Sequence, residues 1–142
     1  MKDCINIILA NAPLQNGNRG CVALTVSAIS IIDEIMSDAG KKYKLMLADA
    51  RIKSSGFDNK YIISGREICV KPILYHASYS IKSSIRLKLT DIVRKLLGKP
   101  SRDYFKDADF ILNIGQGDSF ADIYGEPRFH HINLSYRIAR YY

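Results

Sequence analysis

Two stretches of this sequence carry the residue types of a binding or catalytic site. The longer runs Gly115-Gln116-Gly117-Asp118-Ser119-Phe120-Ala121-Asp122-Ile123-Tyr124-Gly125, with two carboxylates, a hydroxyl, a phenol and three glycines close together. Asp118 or Asp122 can act as a general base toward a sugar hydroxyl if burial or a like-charged neighbour raises its pKa. Gly115, Gly117, Ser119 and Tyr124 are candidate contacts to the same ligand. The other reading is structural, with Asp118 and Ser119 capping a helix or pinning the loop. The shorter stretch is Asn16-Gly17-Asn18-Arg19-Gly20. Its glycines permit positive φ and close approach of a ligand to backbone N–H groups. A helix opening near Gly20 adds the partial positive charge and unpaired donors of its N-terminus. Arg19 can offer a fork to a carboxylate or phosphate, with Asn18 and Gly20 beside it. The segment matches neither the G-x-G-x-x-G dinucleotide fingerprint nor a Walker A lysine loop. Here too the alternative is that the glycines turn the chain and Arg19 is solvated.

Chemistry of this kind needs strands and helices that hold the loops at one edge. Ile5 to Ala10 is a nearly continuous apolar run, suited to a strand buried on both faces of a parallel sheet. Asn11 to Arg19 is rich in turn formers. From Gly20 or Cys21 the pattern becomes helical, with Val22, Val26, Ile29, Ile32 and Ile35 as its apolar stripe and Gly40 as its stop. The next strand, Tyr43 to Ala48, is expected to lie parallel to the first. Lys60 to Ser64 and Glu67 to Ile73 read as two short strands joined by a hairpin-like turn at Ser64-Gly65-Arg66. Residues 80 to 97 form an amphipathic helix with Ile81, Ile85, Leu89, Ile92, Val93 and Leu96 on one stripe, ended by Gly98 and Pro100. Tyr104 to Ala108 is a short helical or turn stretch, and Asp109 to Ile114 is the second clear parallel-type strand. A last helix spans about Arg128 to Tyr142, with Ile132, Tyr136 and Ile138 or Ala139 on its apolar side.

This alternation predicts an α/β fold: an open, mostly parallel Rossmann-like sheet with helices on both faces. Residues 1–142 make one domain's worth of chain. The last helix has no further strand to cross to, and reads as the mark of a longer polypeptide. In such sheets ligands sit outside the carboxyl ends of the strands, where both candidate loops fall.

Composition narrows the classes. With 47% hydrophobic and 25% charged residues the chain is of ordinary globular type, which excludes disordered and collagen-like classes. No apolar run approaches the ~18–20 residues of a membrane span, and the first ten residues do not form a secretory signal, so a cytoplasmic location is expected. Cys4, Cys21 and Cys69 contain no C-x-x-C pair, and the three histidines show no ligand spacing, so neither a disulfide scaffold nor a metal site is expected. The net charge of +7 favours anionic partners without choosing among them. Nucleic acid is not expected, since no helix-turn-helix pattern or aromatic-and-basic single-strand surface is visible.

The two loops, in this order, resemble the polysaccharide pyruvyl transferase family. Members look similar at a first strand followed by an N-R-G segment that opens a helix, here Asn18-Arg19-Gly20 before Cys21-Val22-Ala23-Leu24. They look similar again where a buried strand runs into G-x-G-D-S-F-x-D-x-Y-G, here Gly115 to Gly125. The chain departs at Cys21, where many members carry an acidic residue. The resemblance implies the amino-terminal half of a two-domain, GT-B-type fold with its active site between halves. It implies transfer of a pyruvate ketal group from phosphoenolpyruvate to a sugar of a cell-surface or exported polysaccharide, with no cofactor. The amino-terminal half would face the sugar or lipid-linked glycan acceptor, and the donor-binding residues would lie beyond Tyr142. On that implication the chain alone is incomplete and inactive, and needs a carboxyl-terminal half or a partner copy.

Two other functions remain open: a GT-B-type glycosyltransferase half using a nucleotide sugar, and a non-catalytic binding half or remnant. The helix from Ser80 to Gly98 adds a separate idea. Lys82, Arg86, Lys88, Arg94 and Lys95 beside its apolar stripe can rest on anionic lipid at the inner face of the membrane. The plainer expectation is that the stripe packs on the sheet and the basic residues face water.

Overall fold

The computed structural model describes residues 3–14, 17–48, 59–63, 65–73, 84–98, 103–115 and 132–140. Strands β1 (Cys4–Ala10), β2 (Lys42–Ala48), β3 (Asn59–Ile63), β4 (Arg66–Ile73) and β5 (Phe110–Asn113) form one mixed sheet in the order β3-β4-β2-β1-β5. The pairs β1–β2, β1–β5 and β2–β4 are parallel, while β3 and β4 form an antiparallel hairpin. Helices α1 (Arg19–Asp38), α2 (Ser84–Leu96) and α3 (Leu134–Ala139) and a 3₁₀ turn at Asp103–Phe105 complete the described elements. The α/β architecture and mostly parallel sheet expected from the sequence are therefore present. The expected strands and the first helix lie where they were read, to within two residues at each end.

Helix α1 forms between two well-made ends. The Asn18 side chain accepts from the Gly20 and Cys21 N–H groups at 3.0 and 3.4 Å, which satisfies two of the donors left open by the first turn. At the other end the Gly40 N–H donates to the Ser37 carbonyl and the Lys41 N–H to the Met36 carbonyl. This is the Schellman arrangement, and it needs the positive φ (61°) that Gly40 supplies.

Side-chain alternation along β1 divides the core. Ile7 and Leu9 join Leu45, Leu47 and Val70 on one face, under Ile29, Ile32 and Met36 of α1. Ile8 and Ala10 join Ala48 on the other, against Phe105 with Tyr104, Ala108 and Ala139 around it. The buried side of α1 is Cys21, Thr25, Ile29, Ile32 and Met36. The expected stripe shared only Ile29 and Ile32 with it, and Ile35 is 60% exposed. A spacing of 22, 26, 29, 32, 35 drifts around a 3.6-residue helix, whereas 21, 25, 29, 32, 36 stays on one side. Thr25 fits that side because its hydroxyl donates to the Cys21 carbonyl at 3.0 Å. By length and composition α1 is apolar enough to cross a membrane, a property that the single uninterrupted-run criterion misses; here it covers the sheet.

Helix α2 departs most from expectation. Leu89, Ile92, Val93 and Leu96, predicted to pack on the sheet, are exposed, and among the helix residues of described burial the buried one is Asp91. In the last helical segment the buried positions among those described are Ile132 and Ser135, while Tyr136 is exposed. The rest of the expected span 128–142 lies partly outside the described residues.

Candidate functional site

Strands β1 and β5 are parallel neighbours, with Ala10 opposite Asn113, so the chain leaves both at the same edge of the sheet. The segment after β1 leads into α1, which packs on the Ile7/Leu9 face. Beyond β5 the chain comes back through Ile132 and α3, whose Ala139 packs against the Ile8/Ala10 face. Neighbouring strands whose following helices cover opposite faces open a crevice at their carboxyl ends, the position where α/β sheets hold ligands.

The two strand ends are joined by a knot of carboxamides. Asn11, the first residue past β1, is 1% exposed and has a φ of 56°. Asparagine is among the few side-chain-bearing residues that adopt this left-handed conformation readily. Its N–H donates to the Ala48 carbonyl at 2.8 Å, extending the pairing with β2. Its Nδ2 donates to Asn113 Oδ1 and to the Ile132 carbonyl, both at 3.0 Å. Asn113, the last residue of β5, donates from Nδ2 to the Ile132 carbonyl at 2.8 Å and to Ser135 Oγ at 3.1 Å. Its Oδ1 also accepts the Gly115 N–H at 2.9 Å. One carboxamide thus links the ends of β1 and β5, the base of the glycine-rich loop and the start of the last helix. Buried polar groups satisfied in this way fix one arrangement, because leaving any of them unpaired costs ~1–3 kcal/mol.

Among the residues singled out in the sequence, Gly115 is buried with a φ of 61°, and it turns the chain out of β5. Asn18 serves as the cap of α1, so its side-chain oxygen is committed to the helix. Gly20 sits against that oxygen, where an added Cβ would come within 3.2 Å of it. Arg19 is exposed at the first helical position. Asp118 and Asp122, with Gly117, Ser119 and Tyr124, lie outside the described residues. Asn18–Gly20 and Gly115 therefore follow adjacent strand ends.

Asn11, Asn113 and Ser135 were missed as a unit. The signal available was an asparagine at the end of each of two apolar strands, where an unpartnered polar side chain is costly once buried. These groups are neutral and do not titrate in the ordinary range, so they position a loop and move no proton. Among the described residues no group of three or more His, Cys, Asp or Glu side chains is gathered as for a metal ion. No protein-family model, curated protein or solved structure matches the chain.

Proposed function

We propose that this chain is the acceptor-side, amino-terminal part of a polysaccharide pyruvyl transferase, working at the cytoplasmic side of the membrane on a sugar or lipid-linked glycan. The observation that carries the reading is that its two family-like segments, Asn18-Arg19-Gly20 and Gly115 to Gly125, follow the neighbouring parallel strands β1 and β5. In the reaction two sugar hydroxyls add to C2 of phosphoenolpyruvate, C3 takes up a proton, and phosphate leaves. Asp118 or Asp122 accepts a hydroxyl proton, while Ser119, Tyr124 and the backbone at Gly115 and Gly117 orient the acceptor. Arg19, with Asn18 and Gly20, borders the anionic donor. The donor's main contacts and the acid that protonates C3 come from a second half or a partner copy.

The test is turnover by the native polypeptide that contains this chain, supplied with phosphoenolpyruvate and an acceptor glycan. The expected product shows a ketal methyl resonance and one phosphate released per ketal. Asp118→Asn or Asp122→Asn, whichever removes the base, lowers kcat roughly 10²- to 10⁴-fold with little change in KM for phosphoenolpyruvate. Stabilisation by a nucleoside diphosphate and not by phosphoenolpyruvate would replace this reading with a nucleotide-sugar glycosyltransferase. Glycan binding without turnover by the native polypeptide would replace it with a binding protein.

A further inference from the structure

Helix α2 is seated back to front. Among its residues of described burial the deepest is Asp91, 4% exposed and held in a polar interaction, with Arg94 half-buried beside it. On the opposite side Leu89, Ile92, Val93, Leu96 and, just past the helix end, Leu97 are 52 to 81% exposed. At 100° per residue these five fall on one arc of about 140°, and Asp91 lies on the far side from its centre. A helix of this composition inside a globular protein normally turns its apolar arc to the core. Here Asp91 meets the protein and these five apolar residues face outward.

Charge says what the arc would meet. Between residues 84 and 99 stand Arg86, Lys88, Arg94, Lys95 and Lys99, with Asp91 as the sole acid. At 100° per residue Arg94 follows one border of the arc and Lys95 the other. Two copies of this chain meeting arc to arc would bring these like-charged borders together, and each chain carries a net +7. A shaped protein pocket is a poorer match as well. Interface anchors are typically Trp, Tyr or Arg, whereas this arc is wholly Leu, Ile and Val. Aliphatic side chains bordered by long basic ones suit the boundary between headgroups and acyl chains.

We propose that α2 is a surface-lying anchor for an anionic bilayer, its Leu89–Leu97 arc entering the headgroup boundary and its basic borders pairing with lipid phosphates. The anchor rests on α2 alone and is independent of the transferase reading, because it requires neither glycan nor phosphoenolpyruvate.

Co-sedimentation of the full chain with vesicles tests it. Phosphatidylcholine vesicles with about 30 mol% phosphatidylglycerol should bind the chain at least ~10-fold more strongly than pure phosphatidylcholine. Raising salt from about 0.1 to about 0.5 M should remove most of that difference. Ile92→Glu and Leu96→Glu should each lower binding by ~10-fold or more. Both positions are exposed, so the thermal midpoint should stay at the parent value, and this is read in the same samples. Lys88→Glu with Lys95→Glu should weaken binding to anionic vesicles and leave the weak neutral-lipid binding unchanged. Equal binding to both vesicle types, or binding unaffected by Leu96→Glu, overturns the proposal. So does a dimer in light scattering that Ile92→Glu dissolves while vesicles capture nothing, since the arc would then be a protein interface.

Discussion

Helices α1 and α2 are both amphipathic in sequence, yet they meet the protein in opposite senses. Helix α1 buries Ile29, Ile32 and Met36 against the sheet, whereas α2 buries Asp91 and turns Leu89, Ile92, Val93 and Leu96 outward. Periodicity shows that a helix has an apolar side. It does not show what that side meets, and the two helices separate these statements. Helix α1 is the crossover between the adjacent parallel strands β1 and β2, so its geometry leaves little choice of face. Its attachment is reinforced by the Tyr43 hydroxyl of β2, which donates to Asp33 Oδ1 at 2.9 Å.

Four substitutions read by urea unfolding sharpen or break this contrast. The largest effect is expected for Ile29→Ala, which opens a cavity under the fully buried centre of α1 and should cost about 2–5 kcal/mol. Asp91→Ala comes next, at about 1–3 kcal/mol, because it strands the polar partner of a buried carboxylate on the docked side of α2. Asn18→Ala should cost about 1 kcal/mol through loss of the α1 cap. Leu96→Ser should change stability by less than about 0.5 kcal/mol, since its side chain is already in water. If Leu96→Ser proves as costly as Ile29→Ala while Asp91→Ala is silent, α2 packs by its apolar arc and the contrast disappears.

Much of the scaffold was legible from local signals. The apolar runs at Ile5–Ala10 and Phe110–Ile114, and the turn at Gly65, mark strands and a hairpin because each is decided by its own few residues. The side of α1 was read less well, since one misplaced residue among several aliphatics shifts a stripe by part of a turn. Ser135 was overlooked in favour of Tyr136 because its burial depends on a hydrogen bond from Asn113, a partner far away in sequence. The link between Asn11 and Asn113 spans 102 residues, and no local pattern announces a contact at that separation. In the candidate site, Asn18, Arg19, Gly20 and Gly115 were singled out as ligand contacts, with chain-turning glycines as the alternative, and the cap that Asn18 makes on α1 was not read. The positioning network beneath them belongs to tertiary structure.

The place of β1 inside the sheet has a consequence for synthesis. One of its edges pairs with β2, which follows after a single helix, but the other waits for β5. Asn6 then closes that side, its N–H donating to Asp109 Oδ2 and its carbonyl accepting the Asp109 N–H. At ~5–20 residues per second, translation leaves that edge unpaired for on the order of several seconds after β2 has emerged. During this interval the nascent chain offers an unpaired apolar strand edge to any other strand that reaches it.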